Sequence, residues 1–150
     1  MPQKQASKKK RPAKLKILNP LIGSWKAESD SPMGPVSCTR TFSSVLNGSC
    51  IQLHAEWKFG NRVYEELAIY TMRDGVPVFW SFTSDGKRSE GALADGSDVH
   101  PDAICFEAEM PAGRARMIYW PDEKDGLHWA VEAKNAKGWR RFTEHHYRRI

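Results

Sequence analysis

The chain has 150 residues, 40% of them hydrophobic and 27% charged, which is enough for one domain with its own core and too apolar for a disordered polymer. Its net charge of +5 invites a nucleic-acid reading, but seven of the 23 basic residues (Lys4, Lys8, Lys9, Lys10, Arg11, Lys14 and Lys16) share residues 1–16 with no acidic one. The other 16 face 18 acidic residues, so the body is mildly acidic and nucleic acid is not an expected partner.

In chain order, residues 1–16 read as a disordered basic tail and residues 17–150 as a single domain. The tail lacks the apolar stretch of a secretory leader, and no run approaches the ~18 apolar residues of a membrane span, so a cytoplasmic location is expected. Leu15, Leu18, Leu21 and Ile22 can cover one face of a short helical turn that closes one end of the fold. Turn signals then recur every 10–15 residues, among them Asn47-Gly48, Gly60-Asn61, Asp74-Gly75, Asp85-Gly86, Pro111-Ala112-Gly113, Asp125-Gly126 and Lys137-Gly138. Ten strands fit between them, at about 24–30, 36–45, 50–59, 63–72, 77–84, 87–94, 103–110, 114–120, 127–134 and 139–148. The expected fold is therefore all-β: a closed antiparallel up-and-down barrel of about ten strands with a short N-terminal helix.

The turns set registers. A two-residue turn at Asn47-Gly48 places Val36, Cys38, Arg40 and Phe42 on one face with Ile51, Leu53, Ala55, Trp57 and Phe59. That face is apolar except for Arg40, and Cys38 opposes Trp57 instead of Cys50. Asp74-Gly75 places Leu67, Ile69, Val78, Trp80 and Phe82 together, taken as inward, and Asp85-Gly86 sets Gly91 opposite Trp80. A three-residue turn at Pro111–Gly113 groups Ile104, Phe106 and Ala108 with Arg116, Ile118 and Trp120. A four-residue turn at Asn135–Gly138 groups Leu127, Trp129 and Val131 with Phe142, Glu144, His146 and Arg148.

Leu21-Ile22-Gly23-Ser24-Trp25, then Val45-Leu46-Asn47-Gly48, then Trp139-Arg140-Arg141-Phe142 and Tyr147-Arg148-Arg149 follow one another in an order that resembles the uncharacterised lipocalin-like bacterial β-barrel family of the calycin superfamily. The resemblance covers about residues 18–150. It implies a closed barrel and a basic residue of the last strand, Arg148 or Arg149, packed across Trp25; it implies no established activity. More distantly the chain resembles the haem-binding nitrobindin-like barrels, although Glu28–Val36 does not match the glycine segment of that group.

Inside such a barrel Arg40 is the sharpest residue, because a lone inward guanidinium needs an anion and Ala55 leaves room beside it. Arg116 repeats the pattern. Trp57, Trp80 and Trp129 supply apolar walls, and Glu144 and His146, two apart on one strand, point to one side. The expected function is non-enzymatic binding of a small, mostly apolar ligand with an acidic group. The alternatives are haem held by His146, an enzyme using Glu144 and His146 as acid and base, and a barrel filled by its own side chains. His145-His146 is a poor metal pair, since neighbours on a strand face opposite ways, so no metal is expected. The three cysteines, without a CxxC, read as small core residues, and no nucleotide-binding or nucleophile-elbow motif is present.

Overall fold

A computed structural model describes residues 14–150. The expected tail falls on residues 1–13, outside the described residues, apart from Lys14 to Lys16.

Ten strands close into one antiparallel barrel: β1 (Gly23–Ser31), β2 (Gly34–Val45), β3 (Cys50–Phe59), β4 (Arg62–Arg73), β5 (Val76–Thr83), β6 (Arg88–Ala94), β7 (Ile104–Met110), β8 (Gly113–Pro121), β9 (Leu127–Asn135) and β10 (Gly138–Arg149). Each strand pairs with its sequence neighbours and β1 pairs with β10, so no sheet edge is left open. Before β1, Leu15–Leu21 forms a 3-10 helix. Its leucines recur every three residues and so line one face of a three-residue turn. Leu18 and Leu21 are fully buried, plugging the end of the barrel where β1 begins.

The β2–β3 hairpin has the register the sequence specifies. Asn47 and Gly48 adopt φ of +58° and +85°, Ser49 N–H donates to the Leu46 carbonyl, and Arg40 stands opposite Ala55. The tight turn at Gly60-Asn61 carries the same face onto β4, pairing Ile51 with Tyr70, Leu53 with Ala68, Ala55 with Glu66 and Trp57 with Tyr64.

That continuity overturns the face expected for β4 and β5. Their mutual register is as read, with Ile69 opposite Trp80, but Ala68, Tyr70, Phe79 and Ser81 are the buried inner residues. Leu67 and Phe82 are exposed, and Trp80 lies outside the barrel. An inner face must be shared by every strand around a closed barrel, and this constraint outweighs the higher apolar content of the opposite side. At the next turn Gly86 N–H donates to Thr83 O, and the Asp85 carboxylate accepts from Thr83 Oγ1 and Lys87 N–H, making a three-residue loop. Gly91 therefore opposes Phe79, not Trp80.

Gly91 is held there by its neighbours. A Cβ on it would lie 2.1 Å from the Glu107 carbonyl oxygen and 2.8 Å from Phe79 Cε1. The ring can move, whereas the carbonyl belongs to the paired strand β7. Gly91→Ala is expected to lower stability by about 1–3 kcal/mol in chemical denaturation, by prising β6 from β7; an unchanged midpoint would show that the strands separate freely.

Two further registers correct the expectation. The β7–β8 turn has two residues, so Glu107 opposes Arg116 and Phe106 opposes Met117. Phe106, Met117 and Tyr119 face inward, while Arg116, Ile118 and Trp120 face out. The loop between β6 and β7 folds over that outer face, with Gly96 packed against Cys105 and Ile118, which explains why both are fully buried outside the barrel. In β10 a bulge between Arg141 and Thr143 shifts the register by one residue. Beyond it His145 opposes Trp129 and Tyr147 opposes Leu127, so His145 and Tyr147 turn inward. Glu144, His146 and Arg148 turn outward.

Candidate functional site

At the plugged end, Trp25 is buried and its indole N–H donates to Leu21 O at 2.9 Å. The Arg149 guanidinium lies 4.1 Å from the ring centroid and donates to Ile22 O at 2.9 Å. It ties the last strand to the chain segment entering the first. Arg148 instead stands opposite Lys26.

Arg40 is only 1% exposed and lies at mid-barrel. Its guanidinium is ringed by Trp57, Trp129, Tyr119 and Tyr147, with centroids 5.0–6.0 Å away. Glu66 is the nearest carboxylate, with Oε1 3.7 Å from Nη2, too far for a hydrogen bond. The other Glu66 oxygen accepts from Ser81 Oγ at 2.5 Å. Arg40, Ala55 and Glu66 stand in one row across β2, β3 and β4, and the small alanine opens the space the guanidinium occupies. Four buried atoms here, Arg40 Nε and Nη1, Trp129 Nε1 and the Tyr70 hydroxyl, find no hydrogen-bond partner among the described residues. Unsatisfied buried donors are rare, because each forfeits its hydration without compensation.

Arg116 shows what a satisfied buried arginine looks like in the same fold. Its Nε and Nη2 donate to Glu132 Oε1 at 2.9 and 2.7 Å, and Nη1 and Nη2 donate to Asp98 at 3.0 and 2.7 Å. Trp139 covers it, with the ring centroid 4.4 Å from the guanidinium. This arginine, expected in the cavity, belongs to a closed ion network on the outer face. Arg40 has the opposite character: it is placed inside with two of its three guanidinium nitrogens, Nε and Nη1, unpartnered.

Above Arg40, a cavity of about 850 Å³ occupies the barrel end opposite the helix. Val36, Trp57, Trp129 and His145 form its floor, with Phe59, Tyr64 and Phe142 around it and Asp30, Arg62, Asp85 and Glu144 at the rim. Trp57 and Trp129 thus separate the cavity from the guanidinium. Burial and the nearby Arg40 charge both hold the His145 imidazole below its ordinary pKa, favouring the neutral ring. Burial likewise pushes the Tyr119 phenol up to about 12 and the Tyr70 and Tyr147 phenols above their ordinary range, so all three stay protonated. Cys38 and Cys105 are pushed up to about 11 by burial, which leaves inert thiols. A second cavity of about 700 Å³ lies between the helix and the loops at the plugged end, lined in part by Trp25 and Tyr119.

Of the residues expected to line the site, Arg40, Trp57 and Trp129 come together, Glu144 reaches only the cavity rim, and Trp80, Arg116 and His146 lie elsewhere on the outer face. Glu144 is exposed, 3.5 Å from Arg141. His146 stacks on His128, which stacks on Trp120, across the outside of β8, β9 and β10. Its Nε2 lies 2.7 Å from Asp122, whose carboxylate also accepts from the N–H groups of Lys124 and Gly126. The His146 contact, followed by the two backbone bonds, draws the Asp122 carboxyl down to about 2. Because the folded-state value is the lower one, its contribution to stability is present above the ordinary carboxylate range and is lost as pH falls towards 2. His146→Ala is expected to return the Asp122 carbon resonance in an NMR titration towards an ordinary midpoint of about 3.9; an unmoved midpoint would assign the shift to the backbone donors alone. His54, also outside, pairs with Glu65 at 2.8 Å.

Sequence reading missed Glu66, Tyr70, Ser81, Tyr119, His145 and Tyr147. Glu66 was accessible through the Gly60-Asn61 turn, which sets it beside Ala55. His145 and Tyr147 depend on the β10 bulge.

Among the described residues no helix is long and apolar enough to cross a membrane. No protein-family model matches the chain. No curated protein matches it either. Among solved structures the chain is similar to a de novo designed fluorescence-activating β-barrel, at 16% identity and a TM-score of 0.45, over 91% of this chain and 99% of that one.

Proposed function

We propose that the barrel binds a small, mostly apolar molecule through an acidic group, without chemical turnover. The observation that carries this reading is Arg40: a fully buried guanidinium with Nε and Nη1 unpartnered and its nearest carboxylate beyond hydrogen-bond distance. Keeping an unsatisfied cation in a core is costly, and an incoming carboxylate or sulfonate would accept a hydrogen bond from each of the two unpartnered nitrogens. Trp57, Trp129, Phe59, Tyr64 and His145 would enclose the apolar body, in a cavity within the size range of small-molecule sites. The two tryptophans of the floor must part for the acid to reach the guanidinium. The lipocalin-like resemblance belongs to this reading and is supported by the packing of Arg149 on Trp25.

Haem carried by His146 does not fit, because that ring lies on the outer face against Asp122. The same placement removes Glu144 and His146 as an internal acid–base pair.

Native mass spectrometry of the purified protein tests the reading. A small acidic adduct, or uptake of a planar aromatic carboxylate or sulfonate supplied at millimolar concentration, is expected for the wild type and absent from Arg40→Met/Glu66→Gln. An adduct that persists in the variant, or no uptake of any such acid, sinks it.

A further inference from the structure

Arg40 and Glu66 place one cation and one carboxylate in the same interior without a hydrogen bond between them. Glu66 is held by Ser81 instead, and its strand neighbours are Ala55 and Thr83. The other titratable groups turned towards this pair are the phenols of Tyr70, Tyr119 and Tyr147, the Cys38 thiol and, at the cavity floor, His145. Asp30, Arg62, Asp85 and Glu144 stand further out, at the rim. Arg116 and Glu132, the other buried charged residues among the described residues, are on the outer face.

An acid anion that pairs with Arg40 therefore brings a second negative charge into an interior that already holds one of each sign. Proteins avoid an uncompensated buried charge by changing a protonation state. Resting on the ligand reading above, we infer that the barrel takes up one proton with each singly charged acid it binds, and that Glu66 receives it. Neutral Glu66 keeps its hydrogen bond with Ser81 and leaves Arg40 to the ligand. The same count fixes the ligand class. A dianion, such as a phosphate monoester, brings two charges to one guanidinium and is excluded, whereas a flat aromatic body with one carboxylate or sulfonate matches both the charge and the ring-lined floor.

The probe is 8-anilinonaphthalene-1-sulfonate, whose sulfonate stays ionised throughout, so any proton taken up belongs to the protein. Its affinity for the full chain is expected to fall about tenfold per pH unit between about pH 6 and 8, the slope for one linked proton. Calorimetry in buffers of different ionisation enthalpy should count close to one proton, a measurement that needs the wild type alone. Glu66→Gln should bind at least roughly a hundredfold more tightly at the upper pH, the whole of the wild-type loss over two pH units, with a flat profile and no proton uptake. His145→Gln should keep the wild-type slope. N-phenyl-1-naphthylamine, the same body without the acid, should show no slope in any variant. A slope that survives Glu66→Gln or disappears in His145→Gln overturns the assignment to Glu66. Binding that requires Arg40 but takes up no proton overturns the inference and leaves the ligand reading standing. Equal binding of both dyes to wild type and Arg40→Met/Glu66→Gln overturns both.

Discussion

Glu132→Ala is expected to lower the unfolding free energy by about 3–5 kcal/mol, a large fraction of the ~5–15 kcal/mol that holds a typical domain together. Glu132 is 5% exposed and is the shared acceptor of two arginines, taking Arg116 on one oxygen and Arg141 Nε on the other at 2.9 Å. The arginines are themselves stacked, Arg116 on Trp139 and Arg141 on Trp120. Removing the carboxylate strands Arg116 beneath Trp139 with half of its donors unpaired, and the desolvation already incurred is not returned. Asp98→Ala removes the other partner, but Asp98 sits near solvent and water can replace it, so a loss of about 1 kcal/mol or less is expected. Urea denaturation of the two variants checks this ordering. Equal effects would mean that Glu132 is no more than a surface ion-pair partner. In Glu132→Met/Arg116→Met most of the loss should be recovered, because an apolar pair of similar volume leaves no deeply buried charge unpaired, while Arg141 and Asp98, which lose a partner, both reach solvent.

The barrel was legible because its strands are separated by glycine-bearing turns with a definite chemistry. Asn47-Gly48 alone fixed which residues of β2 and β3 face inward, and with them the burial of Arg40. Two physical effects hid the rest. The first is that local alternation does not choose a face when both sides of a hairpin are apolar. On β4 and β5 the set Leu67, Ile69, Val78, Trp80 and Phe82 looks more like a core than Ala68, Tyr70, Phe79 and Ser81. Only the path through Gly60-Asn61 decides between them. That path also puts Glu66, an unpromising core residue by type, beside Ala55 and Arg40. The second effect is the bulge at Phe142, which no glycine or proline announces. It exchanges Glu144 for His145 opposite Trp129 and His146 for Tyr147 opposite Leu127 at the inner face. Three of the expected lining residues, Trp80, Glu144 and His146, turned outward for these reasons, and the aromatic box around Arg40 gained Tyr147. Arg116 failed differently: one residue of turn length at Pro111-Ala112 turned it outward, where the loop carrying Asp98 covers it.

The opposite outcome to Glu132→Ala is expected at the other buried arginine. Arg40→Met/Glu66→Gln should leave the apo protein as stable as the wild type or more so, by up to about 4 kcal/mol, while abolishing acid binding. Arg40 receives partial compensation from four aromatic faces and from a carboxylate at 3.7 Å, but its Nε and Nη1 are unpaired. Methionine fills a similar volume with no donor to satisfy, and glutamine at position 66 can keep a hydrogen bond with Ser81 without a charge to neutralise. Both changes are made together because removing Arg40 alone would leave Glu66 as the uncompensated ion. Losing two charge-assisted hydrogen bonds should weaken an acid ligand by at least about 2 kcal/mol, roughly thirtyfold, with little effect on the uncharged analogue. Thermal unfolding and dye titration of the same preparation read the two quantities side by side. If the double variant instead unfolds several degrees lower and still binds the acid, Arg40 is a packing residue and the cavity above it selects nothing by charge. If stability rises as binding disappears, the unpaired guanidinium is a group the fold keeps at its own expense, which is the relation expected of a binding site and not of a core.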